Sequence, residues 1–131
     1  MKPYQRFLAW QHCHQLVLLT YRLTNRFPKS ELYGITSQMR RAAASAAATI
    51  AEGAAKRGQP EFRRFLDIAL GSLSELSYFG ILAKDLGLLS EEDWQEFDKR
   101  SVEGGNPPIH AAWCAIMIER SRSGVSPMAS P

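Results

Sequence analysis

The chain has 131 residues, 45% hydrophobic and 22% charged, the balance of one folded domain large enough to bury a real core. Its formal net charge of +3 and isoelectric point near 9.1 are too mild for a dedicated DNA-binding arm. No signal-peptide pattern opens it, no stretch reaches the roughly 18–20 apolar residues of a membrane span, and two distant cysteines, Cys13 and Cys114, suit reduced buried thiols, so the expectation is a cytoplasmic protein without a membrane partner.

Helix breakers divide the sequence into four predicted helical blocks, and strand-like alternation is absent. The first block runs from Pro3 or Phe7 to Arg26 and stops at Phe27-Pro28, because the residue before a proline avoids the helical region. A connection over 29–35 contains Gly34. The second block covers 36–56, with Thr36 as its N-cap. Gly58 and Gln59 make the next turn, and Pro60 suits the first residue of a third helix that reaches Asp85 or Leu86. Gly87 is placed as its left-handed C-cap. Ser90-Glu-Glu-Asp93 then reads as an N-cap followed by acids that favour a helix start. The fourth block carries Trp94, Phe97 and Val102 before Gly104-Gly-Asn-Pro-Pro108 interrupts it. A short helix over 110–121, with Trp113, Ile116 and Met117, is expected to resume. The predicted domain covers 1–123, with a break in helix 4 at 104–108. A Ser-, Pro- and Gly-rich tail over 124–131 is expected to be flexible.

The second helix is built from small residues that permit close packing, with one polar line along it. At about 100° per residue, Gln38, Arg41, Ser45 and Glu52 share one stripe, while Met39, Ala43, Ala46, Ile50 and Gly53 share another. The third helix has one apolar seam of Phe62, Leu66, Ala69, Leu73, Leu76, Gly80 and Ala83. Its second seam holds Phe65, Ile68, Phe79, Leu82 and Leu86. Together they exceed the roughly 100° stripe that a helix on one core needs. The first helix is also apolar on two sides, with Trp10, Val17, Leu18 and Tyr21 on one and Leu16, Leu19 and Leu23 on the other. This surplus predicts a subunit interface.

Several motifs occur in order: Trp10-Gln11, Tyr21, Phe27-Pro28, Glu31-Leu-Tyr-Gly34, Gln38-Met-Arg-Arg-Ala42, Ser45, Ile50-Ala-Glu-Gly53, Glu61-Phe-x-x-Phe-Leu66 and Gly71-Ser72-x-x-Glu75-Leu76. The combination resembles the four-helix-bundle proteins encoded in intervening sequences of bacterial 23S ribosomal RNA genes, over about residues 7–100. The accessory variability protein of diversity-generating retroelements is similar at greater distance. The resemblance implies an all-α, up-down antiparallel four-helix bundle that assembles as a ring-like homopentamer. It implies no established enzymatic role, and the retroelement relative implies binding of nucleic acid and of a protein partner. The chain departs from the family pattern at Ala46-Ala47, where an Ile-Pro pair is usual, and at Thr49, where an asparagine is usual. Without the proline the second helix should run straight. The third departure is the interruption after residue 104, where family members commonly continue a helix.

Arg41 and Glu52 lie eleven residues apart, too far to pair along one helix. The residues Gln38, Arg41, Ser45, Glu52 and Glu75 are therefore expected to form a structural polar network, with Glu75 the candidate partner of Arg41. A catalytic pair of Glu52 and Glu75 is the sharper alternative, but no histidine, nucleophile or glycine-rich loop accompanies it, so no catalytic residue is assigned. Arg40, Lys56, Arg57, Arg63 and Arg64 form the candidate nucleic-acid-binding set, because clustered cations on a rim can add phosphate contacts. Solvated helix faces are the alternative reading of these doublets, as of Lys99-Arg100. No metal site is expected: His12-Cys13-His14 point about 100° apart on a helix, and His110 with Cys114 supply only two ligands. No cofactor motif is present. The expected function is a non-enzymatic oligomer that binds RNA or DNA through a basic rim, with a protein-binding scaffold as the alternative.

Overall fold

The computed structural model describes residues 1–98 and 108–122. The Lys99-Arg100 doublet, Val102, most of the predicted interruption and the tail lie outside them. Among the described residues there are five α-helices and no strand: α1 (Leu8–Thr24), α2 (Ser37–Ala54), α3 (Gln59–Asp85), α4 (Glu91–Phe97) and α5 (Pro108–Arg122). The chain is all-α. Helix α1 packs on α2 and α5, α2 packs on α3, and α3 packs on α5, so these four close a ring of contacts around one core. The short α4 sits against α1, α3 and α5.

The first predicted block divides. A single 3₁₀ turn, Pro3–Arg6, precedes α1, and Phe7 between them is extended (φ −77°, ψ 127°). Thr20 and Thr24, fully buried on α1, donate their hydroxyls to the carbonyls of Leu16 and Thr20, each at 2.7 Å. This local bonding lets two polar residues enter the core without orphaned groups.

Thr36 does not cap α2. Its backbone is already helical (φ −58°, ψ −51°), its hydroxyl makes no capping bond, and that hydroxyl is buried without a partner. The cause lies upstream. The wide helical turn Leu32–Thr36 runs directly into α2, with its one non-helical residue at Gly34 (φ −110°, ψ −118°). Helix α2 itself is uninterrupted across Ala46-Ala47, as the absence of the family's usual proline predicts.

Gly58 (φ +85°) precedes α3, Pro60 lies in its first turn, and Gly87 (φ +77°) follows it. Both glycines hold left-handed conformations that other residues resist. The predicted first seam of α3, Phe62 through Ala83, is entirely buried. The second seam splits: Phe65 is buried, Phe79 and Leu82 are half-buried, and Ile68 and Leu86 are exposed. By length and composition α3 is also apolar enough to cross a membrane, which corrects the expectation that no stretch approaches such a span. A third of its most apolar window is buried inside the chain. The apolar second seam added to the first produces this, with the charges concentrated toward the helix ends.

Ser90 caps α4 as predicted, its hydroxyl accepting from the Asp93 amide at 3.0 Å. The helix then stops at Phe97, well before the glycines, because Asp98 leaves helical geometry (φ −135°, ψ −23°). Pro108 opens α5 rather than breaking a helix. Ile109, Ala112 and Ile116 form the buried seam of α5. The largest fully buried side chains, among them Phe97, Leu16, Leu23, Met39, Ile50, Leu66 and Ile116, come from all five helices. Each contributes about 1.5–3 kcal/mol by leaving water.

Candidate nucleic-acid interface

The α2–α3 turn positions the basic cluster. Helix α2 ends at Ala54, α3 starts at Gln59, and Lys56 and Arg57 lie in the turn while Arg63 and Arg64 follow in the next helical turns. The crossing is close at Gly53. A Cβ built there would stand 2.5 Å from the Phe65 Cβ. Phe65 is buried against this point, and two cations cover its ring: the Lys56 Nζ at 5.7 Å and the Arg64 guanidinium at 4.8 Å from the centroid. Such cation–π contacts fix where the charges stand.

The four cations are not equivalent. Arg64 Nε donates to Glu61 at 3.1 Å. That hydrogen bond, with the attraction between the charges, holds the Glu61 carboxyl below its ordinary range and raises Arg64 above its own. Arg64 is thus partly neutralised, and the Glu52 charge acts on it as well. Arg57 is exposed and Arg63 half-buried, and neither has a recorded hydrogen bond or ion pair among the described residues. They are the cations most available to a phosphate.

Arg40 does not join this group. It sits in the first turn of α2, at the other end of an 18-residue helix, about 20 Å from the α2–α3 turn by helical rise. Its Nε donates to the Thr24 hydroxyl at 2.9 Å, and its guanidinium lies 4.7 Å over the Tyr21 ring. It therefore ties α2 to the end of α1. The length of α2 thus keeps Arg40 apart from the other four cations of the candidate set.

The polar line on α2 is a surface feature of the single chain. Gln38, Arg41, Ser45, Glu52 and Glu75 are all exposed, and Arg41 and Glu75 form no pair with one another. Glu75 adjoins the buried seam without entering it, and its neighbour Leu76 fills the core position. One link does form, between the Ser45 and Ser72 hydroxyls at 3.1 Å, joining α2 to α3. The long-range ion pairs lie elsewhere. Arg22 on α1 and Arg26 in the turn after it reach Glu96 and Asp93 on α4, and Arg120 on α5 reaches Asp67 on α3. Nothing in the sequence spacing signals these, since their partners are distant in the chain.

His110 Nδ1 and Cys114 Sγ stand 3.7 Å apart, and among the described residues no three metal-ligating side chains converge. Cys13 is buried, and burial pushes its thiol up to about 12, so it stays protonated. Of the tryptophans, Trp10 and Trp94 are half-buried and Trp113 is exposed. Trp10 stacks on His14 at 4.8 Å, and Lys84 lies over Trp94. A cavity of about 420 Å³ that the sequence did not signal is lined by Leu73, Ser77, Asp98, His110 and Trp113. Burial there raises the Asp98 carboxyl above its ordinary range, against the lowering pull of His110.

Residues 5–106 match the sequence pattern of one protein family, described as 23S rRNA-intervening sequence protein. Comparison with curated proteins finds no match.

Proposed function

The chain belongs to the 23S rRNA-intervening sequence protein family, and from that premise we propose that it is a non-enzymatic, cytoplasmic assembly protein that binds RNA or DNA through its basic α2–α3 turn. In this reading α1, α2, α3 and the α4–α5 segment make an up-down antiparallel four-helix bundle, and five copies close a ring. The observation that carries the nucleic-acid reading is the α2–α3 turn itself. It gathers Lys56, Arg57, Arg63 and Arg64 at one end of two helices and leaves Arg57 and Arg63 without a hydrogen-bond or ion-pair partner among the described residues. Repetition around a ring turns a modest charge per chain into a continuous basic rim, and phosphate contacts add along a strand.

Assembly is supported by apolar surface that the single chain leaves exposed. Leu18 and Tyr21 on α1, Ile68, Tyr78 and Ile81 on α3 and Leu86 just beyond it are each 43% or more accessible, more than a lone small domain needs to display. The exposed residues Gln38, Ser45 and Glu52 on α2 and Glu75 on α3 gain partners in such an assembly, where they act as a structural network between subunits that leaves Arg41 outside it.

The test is a binding titration with a labelled single-stranded RNA and the same strand as DNA. Arg57→Glu with Arg63→Glu should abolish binding and leave the helical circular-dichroism spectrum unchanged. This pair is the cleaner choice, because replacing Arg64 would strand Glu61 beside a second acid. Unaltered affinity in the double variant removes the reading.

A protein-binding scaffold is the second reading. It is favoured by a groove of about 660 Å³ between the start of α1 and α5, where Phe7, Leu8 and Ile118 face Arg6 and Arg122. Nuclease treatment of a native pull-down separates the two readings, since it releases a nucleic-acid partner and spares a protein.

A further inference from the structure

The end of α1, the Leu32–Thr36 turn and the first turns of α2 enclose a cleft of two adjoining cavities, about 370 and 310 Å³, which share Leu32 and Arg40 as a wall. Each falls within the ~300–1,000 Å³ range of small-ligand pockets. Lys29, Arg40 and Arg41 line the cleft, and no acidic side chain does. Glu31, beside Leu32 in sequence, sits against Gly34, where a Cβ would come within 2.9 Å of its Oε1.

The cleft sets two guanidinium groups, Arg40 and Arg41, beside the Tyr33 ring. Arg40 is held by the Thr24 hydroxyl through Nε alone, and Tyr21 supports its guanidinium from one side. Its two terminal nitrogens have no recorded partner among the described residues and keep the fork that matches a phosphate. Arg41 is exposed with no recorded partner there either. Tyr33, on the cleft rim, is 94% exposed and stacks on no ring or cation among the described residues. Thr36, whose hydroxyl is buried without a partner, lines the floor.

We propose that this cleft binds a nucleotide unit, its phosphate held by Arg40 and Arg41 with Lys29 nearby, and its base stacked on Tyr33. Guanidinium forks supply the charge-assisted hydrogen bonds to phosphate, and a tyrosine face stacks any base. The site stands about 20 Å from the α2–α3 turn along α2 and does not depend on that turn binding anything. The same chemistry is presented by a free nucleotide and by one nucleotide within a strand.

The experiment titrates 5′-AMP, adenosine, inorganic phosphate and a short oligoadenylate into the full chain by calorimetry. AMP should bind at least about tenfold more tightly than adenosine or phosphate alone. Tyr33→Ala should weaken the bound form about 5- to 150-fold, the range expected for loss of one stacking contact, and Arg41→Gln should weaken it about tenfold. Both residues are exposed, so unchanged helical circular dichroism separates a binding loss from unfolding. Arg57→Glu with Arg63→Glu should leave AMP affinity unchanged even where it abolishes binding of long strands, which keeps this site distinct from the α2–α3 turn. Sensitivity of the oligonucleotide alone to Tyr33→Ala places a strand in the cleft, and sensitivity of AMP places a free nucleotide there. If neither ligand binds, or if neither responds to Tyr33→Ala and Arg41→Gln, the proposal is overturned.

Discussion

Among the described residues, Gly53 and Gly80 are the glycines pressed hardest by a neighbouring ring. A Cβ at Gly53 meets Phe65, and one at Gly80 meets the fully buried Phe97 closer still. Gly53→Ala should destabilise the fold by about 1–3 kcal/mol, the usual cost of overpacking, read as a lower urea midpoint with an unchanged slope. An unchanged midpoint would mean that the α2–α3 crossing is looser than the geometry at Gly53. Asp98 supplies a second test. Its folded carboxyl is raised by burial, so its contribution to stability is present below the ordinary carboxylate range and is lost as pH rises through the raised value. Asp98→Asn should therefore raise the melting temperature at neutral pH and have little effect in acid, where both side chains are neutral. Equal melting-temperature shifts at both pH values would contradict that account. Individual residues were legible in the sequence where local chemistry decides them. Ser90, Pro60 and Gly87 each occupy their predicted roles because a cap or a turn is settled by a few neighbouring residues. Thr36 was misread for the converse reason. Its neighbours resemble a helix start, but the Leu32–Thr36 turn had already set the backbone helical.

At the scale of elements, the apolar seams predicted the core well. Periodicity places Phe62, Leu66, Ala69, Leu73, Leu76 and Ala83 on one face, and packing buries all of them. The end of α4 was not legible, since Gly and Pro at 104–108 drew attention while the helix had already stopped at Phe97. The polar line on α2 was legible as a line but not in its pairing, because Arg41 and Glu75 are both exposed and the link that forms between the two helices is Ser45 with Ser72. The basic set was legible in part. Lys56, Arg57, Arg63 and Arg64 gather because one short turn joins their helices, whereas Arg40 belongs to the α1–α2 corner, through Thr24 and Tyr21. That division leads to opposite outcomes for two variants. Arg57→Glu with Arg63→Glu acts on the α2–α3 turn and should abolish strand binding. Arg40→Ala removes a tie between α1 and α2 and should lower thermal stability. Strand binding lost by Arg40→Ala to the same extent as by the α2–α3 double variant, with unaltered stability, would put Arg40 in one strand-binding set with that turn.

For the whole molecule, the surplus of apolar surface and the mild charge have one shared consequence. Exposed residues on α1 and α3 suit burial between copies, and five copies would bring five basic turns to one structure. Native mass spectrometry should then give a particle of about five times the 14.7 kDa chain mass, and a stable monomer at micromolar concentration would remove the ring. The proposed binding mode has a sharper signature in salt. If about four phosphates are neutralised, affinity for a single strand should fall roughly 50-fold between 50 and 200 mM salt. The most direct test of the account is therefore a fluorescence-anisotropy titration of a labelled single-stranded RNA by the intact assembly across that salt range. The account predicts saturable binding at 50 mM that weakens steeply toward 200 mM. No binding at 50 mM, or an affinity indifferent to salt, would contradict it.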